Sequence, residues 1–146
     1  MSEDQIVEEI TIEAPVERVW AALVDPEQRR RWWGGEKYRV VRIESDLRVG
    51  GQWAMRFEGW GKETGMRGEY RVVEPPRVLE FSWRPDWYAE ASESVVRLEL
   101  RAHAGATHIR LTHSGLASEA DRANHRGWAE ILSWLGKYVE TAVSKT

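Results

Sequence analysis

The sequence predicts an α+β domain: a curved antiparallel sheet of about seven strands wrapped round one long C-terminal helix, with two short helices after the first strand. Three observations predict it. Five stretches between Gln52 and His113 alternate apolar and polar residues with a period of two, Tyr38 to Ile43 ahead of them is rich in β-formers, and Gln5 to Glu13 alternates at the start. Helical spacing appears after that first stretch, from Val16 to Leu23, and most clearly near the C-terminus. The chain of 146 residues fits one domain, spanning residues 1–146, with no linker, repeat or low-complexity segment.

The elements follow in order. Gln5 to Glu13 puts Ile6, Ile10 and Ile12 on one face of a first strand. Pro15 suits a first helical position, where its missing N–H costs nothing, and Val16, Val19, Trp20 and Leu23 follow at helical spacing. Asp25-Pro26-Glu27-Gln28 reads as a second helix start: Asp25 caps, Pro26 presets φ and Gln28 reaches back. That helix ends at Gly34-Gly35, and its run Arg29-Arg30-Arg31 reads as a solvated face.

Tyr38 to Ile43 is rich in β-formers, and Gly50-Gly51 is a turn signal. Gln52 to Glu58 sets Trp53, Met55 and Phe57 against Gln52, Arg56 and Glu58. Gly59 to Gly65 reads as a loop. Met66 to Glu74 then aligns Met66, Gly68, Tyr70 and Val72 on one face. Pro75-Pro76 breaks the chain before Val78 to Trp83, where Leu79, Phe81 and Trp83 share a face. After a loop from Arg84 to Ala91, two strands from Ser94 to Arg101 and Thr107 to His113 join across Gly105. Mixed charge at Arg97, Glu99, Arg101 and Arg110 marks a wet outer face. Ser118 and Asp121 open the last helix, whose stripe is His125, Trp128, Leu132, Leu135 and Val139. Helices gathered on one face of such a sheet define the α+β class, and a sheet curved round one helix leaves room for a cavity.

Composition excludes several functions. A net charge of −3 without a polybasic face gives no footprint for nucleic acid. The absence of cysteine removes disulfides, thiolate metal sites and cysteine nucleophiles. No apolar run approaches the roughly 20 residues of a membrane span, and Met1 to Glu9 lacks a leader pattern, so a cytoplasmic location is expected. Nine tryptophans exceed what a core of this size requires, and Trp commonly supplies a wall or an interface.

The residues also carry a resemblance. Ile12-Glu13-Ala14-Pro15-Val16-Glu17-Arg18-Val19-Trp20, Asp25-Pro26 and Trp32-Trp33 resemble the N-terminal signature of START-like (SRPBCC, Bet v 1-like) proteins. Gly50-Gly51, Val73 to Pro76, Leu79 to Trp83, Leu111 to His113, Gly115-Leu116, Ser118 to His125 and Gly127-Trp128 are similar to bacterial homologues of the heat-shock-protein-90 ATPase activator C-terminal domain. The resemblance covers residues 5 to 142. It implies a helix-grip fold, seven antiparallel strands gripping the last helix with an apolar pocket between them, and a member of a superfamily that binds lipids, hormones or polyketides. The eukaryotic co-chaperone activity does not transfer with it.

Chemistry is sparse. The four histidines are His103, His108, His113 and His125. His108 and His113, five apart on one strand, point to opposite faces, so no metal site is expected. His113 shares the inward face of Ile109 and Leu111 and reads as a core histidine; an acid–base role for it, for Tyr70 or for Asp86 and Glu90 at a pocket rim belongs to the enzyme alternative of cyclase, hydratase or isomerase type. No Ser-His-Asp order, phosphate loop or dinucleotide fingerprint is present, so no catalytic residue and no cofactor is assigned. The expected partner is a small hydrophobic or amphipathic molecule lined by Trp53, Met55, Phe57, Tyr70, Phe81, Trp83, Ile109, Leu111, His113, Trp128 and Leu132, with Tyr70 and His113 as polar anchors. The opposing expectation is that these side chains meet and fill the core. Trp60, Trp87 and Tyr88 would carry a protein-interaction role, and a homodimer is compatible with a small domain of this class.

Overall fold

The computed structural model describes residues 5–59, 61–86, 93–116, 119, 122 and 127–144. The strands are β1 (Ile6–Ile12), β2 (Arg39–Ser45), β3 (Gln52–Gly59), β4 (Lys62–Glu74), β5 (Val78–Pro85), β6 (Ser94–His103) and β7 (Ala106–Ser114). The helices are α1 (Val16–Val24) and α2 (Pro26–Trp32), between β1 and β2, and α3 (Trp128–Ser144). The strands form one antiparallel sheet in the order β1-β7-β6-β5-β4-β3-β2, so β1 and β2 are its edges. This is the α+β arrangement expected from the alternation pattern.

Local chemistry explains the helix starts. Pro15 stands at the N-cap of α1, one position earlier than its sequence suggests, and its carbonyl accepts from Arg18 and Val19. Asp25 caps α2 by accepting from the Glu27 N–H at 3.0 Å, while Gln28 donates to the other Asp25 oxygen at 3.3 Å. Arg30 and Arg31 are exposed, as a solvated face requires, but Arg29 is buried at 8% exposure. It lies one helical turn from buried Trp32, so both point into the protein. Its Nε donates to the Leu23 carbonyl in the last turn of α1 at 2.9 Å, where a cation also complements the helix dipole.

The β3–β4–β5 region departs most from the sequence pattern. Pairing continues to Gly59↔Lys62, so the stretch read as a loop is mostly strand and only two residues connect β3 to β4. Strand β5 likewise runs on to Pro85, which pairs with Met66. A bulge between Tyr70 and Val72 shifts the alternation by one residue. Val73, opposite buried Leu79, therefore packs on the core in place of Val72. Gly68 permits the close approach there: a Cβ would lie 1.8 Å from the Ser82 carbonyl oxygen. The Ser82 hydroxyl accepts from the Glu69 N–H at 2.8 Å beside it. The Pro75–Pro76 peptide in the β4–β5 turn is cis.

Helix α3 buries Trp128, Leu132, Leu135 and Val139 at the expected spacings of four and three. Each such side chain contributes about 1.5–3 kcal/mol by leaving water. Gly136 brings the helix against Ile10 and Ile12 of β1, and Glu140 accepts from the Glu13 N–H at 2.9 Å. Ser118, Asp121 and His125 lie outside the described residues. Among those described, no helix is long and apolar enough to cross a membrane.

Candidate functional site

A cleft of about 610 Å³ opens between the start of α3, the β3–β4 hairpin and the turn from α2 into β2. Each wall has a local cause. Strand alternation directs Lys62, Thr64 and Met66 of β4 and Phe57 of β3 towards it. Helical spacing places Trp128, Ile131 and Trp134 along one flank of α3. Left-handed glycines after α2, Gly34 at φ 103° and Gly35 at φ 55°, fold the turn back so that Trp33, Lys37 and Tyr38 complete the wall. The Gly35 backbone lies against the Trp134 indole, whose Nε1 would be 2.4 Å from a Cβ there.

The walls are ring on ring. Tyr38 stacks on Phe57 with centroids 4.4 Å apart and meets Trp134 edge-on at 5.7 Å. Trp33 meets Trp128 edge-on at 6.1 Å, and Trp83 lies 5.0 Å from Trp128 at the back. Polar groups gather at the rim: Lys37 pairs with Glu130 at 2.8 Å, and Glu63 pairs with Arg56 at 3.1 Å. Behind Trp33, Trp83, Trp128 and Ile131 lies a void of about 30 Å³, lined by the same four side chains on its near side. That is room for about one water.

The expected lining residues divide between these spaces. Trp53, Met55, Tyr70, Phe81, Leu111 and Leu132 surround the inner void, Phe57 lines the cleft, and Trp83 and Trp128 line both. Ile109 and His113 border neither and are fully buried. The pattern overlooks Trp33, Lys37, Tyr38, Lys62, Thr64, Met66, Ile131 and Trp134 as cleft residues. Their signal is present: Trp128, Ile131 and Trp134 recur every third residue, and β4 alternates from Lys62 onward.

His113 is tied into the core. Trp128 Nε1 donates to its Nδ1 at 2.9 Å, and its Nε2 meets Ser94 Oγ at 2.7 Å. An indole N–H can only donate, so Nδ1 holds the lone pair and Nε2 carries the proton. Ser94 then passes its own hydrogen to the Trp83 carbonyl at 3.4 Å. Tyr70 is also engaged, with its hydroxyl 2.6 Å from Ser45 Oγ and 3.4 Å from an Arg29 nitrogen. Asp86 pairs with Arg56 at 2.8 Å; Glu90, Trp60, Trp87 and Tyr88 lie outside the described residues. His108 bonds Glu9 and Thr11 on the outer face, its bond holding the Glu9 carboxyl below its ordinary range. No cluster of three metal-binding side chains occurs among the described residues.

Burial pushes the Tyr38 hydroxyl up to about 12, the neighbouring Trp33 side chain opposes the rise, and the Glu130 charge adds to it. The fold therefore favours the neutral phenol. Its contribution is intact below the unfolded value near 10 and is lost as pH rises towards 12. Unfolding in urea should show an alkaline loss on the order of 2 kcal/mol across that window. The same titration of Tyr38→Phe should lack that component; an identical loss in the variant would assign it to other groups.

An open seven-stranded antiparallel sheet carrying a C-terminal helix, with an aromatic cleft between them, defines a helix-grip protein of the SRPBCC (Bet v 1-like) superfamily. The family model described as "Activator of Hsp90 ATPase homolog 1-like protein" matches residues 13–140, and the chain belongs to that family. Protein CV1439 of Chromobacterium violaceum is 24% identical, with 94% of this chain and 97% of that one covered and a TM-score of 0.83. An AHSA1-like protein of Aeromonas hydrophila is 26% identical, over 94% and 93% of the two chains, with a TM-score of 0.78. CalU16 of Micromonospora echinospora is 27% identical, over 97% and 79%, with a TM-score of 0.70. No protein of curated function matched the chain.

Proposed function

We propose that the chain binds a small apolar or amphipathic molecule, without covalent chemistry, in the cleft beside α3. The observation that carries this reading is the 610 Å³ cleft itself, walled by Trp33, Tyr38, Phe57, Trp83, Trp128 and Trp134. Preformed apolar clefts with a few polar groups at the rim are the usual form of a small-molecule site. Of the residues expected from the sequence, Phe57, Trp83 and Trp128 would touch the ligand, and those around the inner void would back them. The superfamily's habit of holding ligands between sheet and helix supports the same reading. The ATPase-activator activity named for the family is not carried over, because fold does not fix function.

The enzyme alternative has little to work with. His113 borders neither space and its two ring nitrogens are engaged, and Tyr70 is walled behind the tryptophan layer.

Thermal unfolding against fatty acids, sterols, aromatic polyketides and phenolics tests the proposal. A ligand of the folded state alone at a hundredfold excess over Kd stabilises it by about 2.7 kcal/mol. Hits that also perturb tryptophan emission are expected, whereas a flat screen across all four classes would overturn the reading.

A further inference from the structure

The polarity of the cleft is graded along one strand. Lys62, Thr64 and Met66 share a face of β4, and their exposure falls in that order: Lys62 is exposed, Thr64 half-buried, Met66 3% exposed. On the neighbouring strand their partners are Gly59, Phe57 and Met55. The gradient therefore runs from a cation at the mouth, past a hydroxyl and a stacked ring, to a thioether floor. Four residues of strand separate its ends, about 13 Å.

The other cations nearby are already neutralised or shut away. Lys37 is held by Glu130, Arg39 by Glu58, and Arg56 by Glu63 and Asp86. Arg29 lines only the inner void, behind Trp33, Trp83 and Trp128. Both rim carboxylates, Glu63 and Glu130, are thereby paired. Of the two lysines that line the cleft, Lys62 alone has no ion pair with a described residue, and it also borders the shallow groove beside the cleft that Arg39 and Glu58 share.

We infer that the ligand is an amphiphile carrying an anionic group, bound with its apolar body against Met66 and the aromatic walls and its acidic end at Lys62. This rests on the proposed binding function and adds the ligand's charge and direction. A cation on a mobile stem at the mouth suits an acid that stays partly hydrated, since a fully buried ion pair would cost more in desolvation. The apolar body supplies affinity and Lys62 supplies selection.

Two fluorescent probes separate these parts: anilinonaphthalene sulfonate, and N-phenyl-naphthylamine, the same ring skeleton without the sulfonate. Titrations into the native protein, Lys62→Met and Thr64→Trp are compared at neutral pH. Lys62→Met should weaken the sulfonate about three- to fivefold, the size of a partly exposed ion pair, and leave the uncharged probe unchanged. Thr64→Trp, which puts an indole into the middle of the cleft, should weaken both. Equal responses of the two probes to Lys62→Met would overturn the acidic-head assignment while leaving the cleft as a binding site. Sulfonate binding indifferent to Thr64→Trp would place it elsewhere and overturn the assignment too. Failure of both probes to bind the native protein would remove the binding function itself, and this inference with it.

Discussion

Trp83→Ala should destabilise the domain by about 3–5 kcal/mol. Trp83 is 3% exposed and lies at the centre of the aromatic core, with ring centroids 5.0 Å from Trp128, 5.8 Å from Trp53, 5.8 Å from His113 and 6.4 Å from Trp33. No neighbour can relax far enough to fill the space, because each is itself braced by another ring. The same side chain separates the cleft from the inner void, so its removal should join the two. Added indole should therefore restore part of the lost stability to the variant and little to the native protein. Urea unfolding with and without indole measures both effects. A loss below about 1 kcal/mol would mean that the core collapses around the site.

His113→Leu should cost about 2–4 kcal/mol, although the side chains are similar in size, because it leaves two buried polar groups short of a partner. Trp128 Nε1 loses its acceptor and Ser94 Oγ loses the proton from Nε2. A double-mutant cycle with Trp128→Phe isolates the cause. Removing the indole N–H should cost less in the His113→Leu background than in the native one, since no acceptor remains there to be lost. Additive costs would show that the bond from Trp128 to His113 contributes nothing to stability.

These two residues also show what the sequence can reveal. The inward direction of His113 follows from its alternation with Ile109 and Leu111, and the burial of Trp128 from its place on the α3 stripe. Strand β3, the Asp25 cap and the spacing of Leu132, Leu135 and Val139 are legible for the same reason: one period, one buried face. The departures cluster where two periods or two elements meet. A bulge exchanges Val72 for Val73, and no residue type announces a bulge as clearly as Gly-Gly announces a turn. Arg29 reads as solvated with its neighbours because a run of charge conceals the turn-by-turn relation to Trp32.

The cleft is displaced from its expected place for a further reason. Alternation identifies the inward face of a sheet but not how far the rings on it reach. Trp53, Tyr70, Phe81 and Leu111 line the interior together with Trp128, Ile131 and Leu132 of α3 and leave a void of only about 30 Å³. The open volume lies beside them, where the end of the β3–β4 hairpin, residues 59–65, a loop by its sequence pattern, faces the start of α3. Two left-handed glycines and a two-residue hairpin shape that opening, and neither states from sequence alone what it will face.

On the proposed function a ligand enters the cleft rather than the core, and the tryptophans report on it. In a titration of nitrogen-labelled protein with N-phenyl-naphthylamine, the indole N–H resonances can be assigned by single Trp→Phe changes. Trp134 borders only the cleft, Trp32 and Trp53 only the inner void, and Trp20 neither. The Trp134 signal should move furthest, with Trp33, Trp83 and Trp128 following and Trp20 unmoved. Shifts at Trp32 and Trp53 with Trp134 unmoved, or no shift at all, would contradict the account.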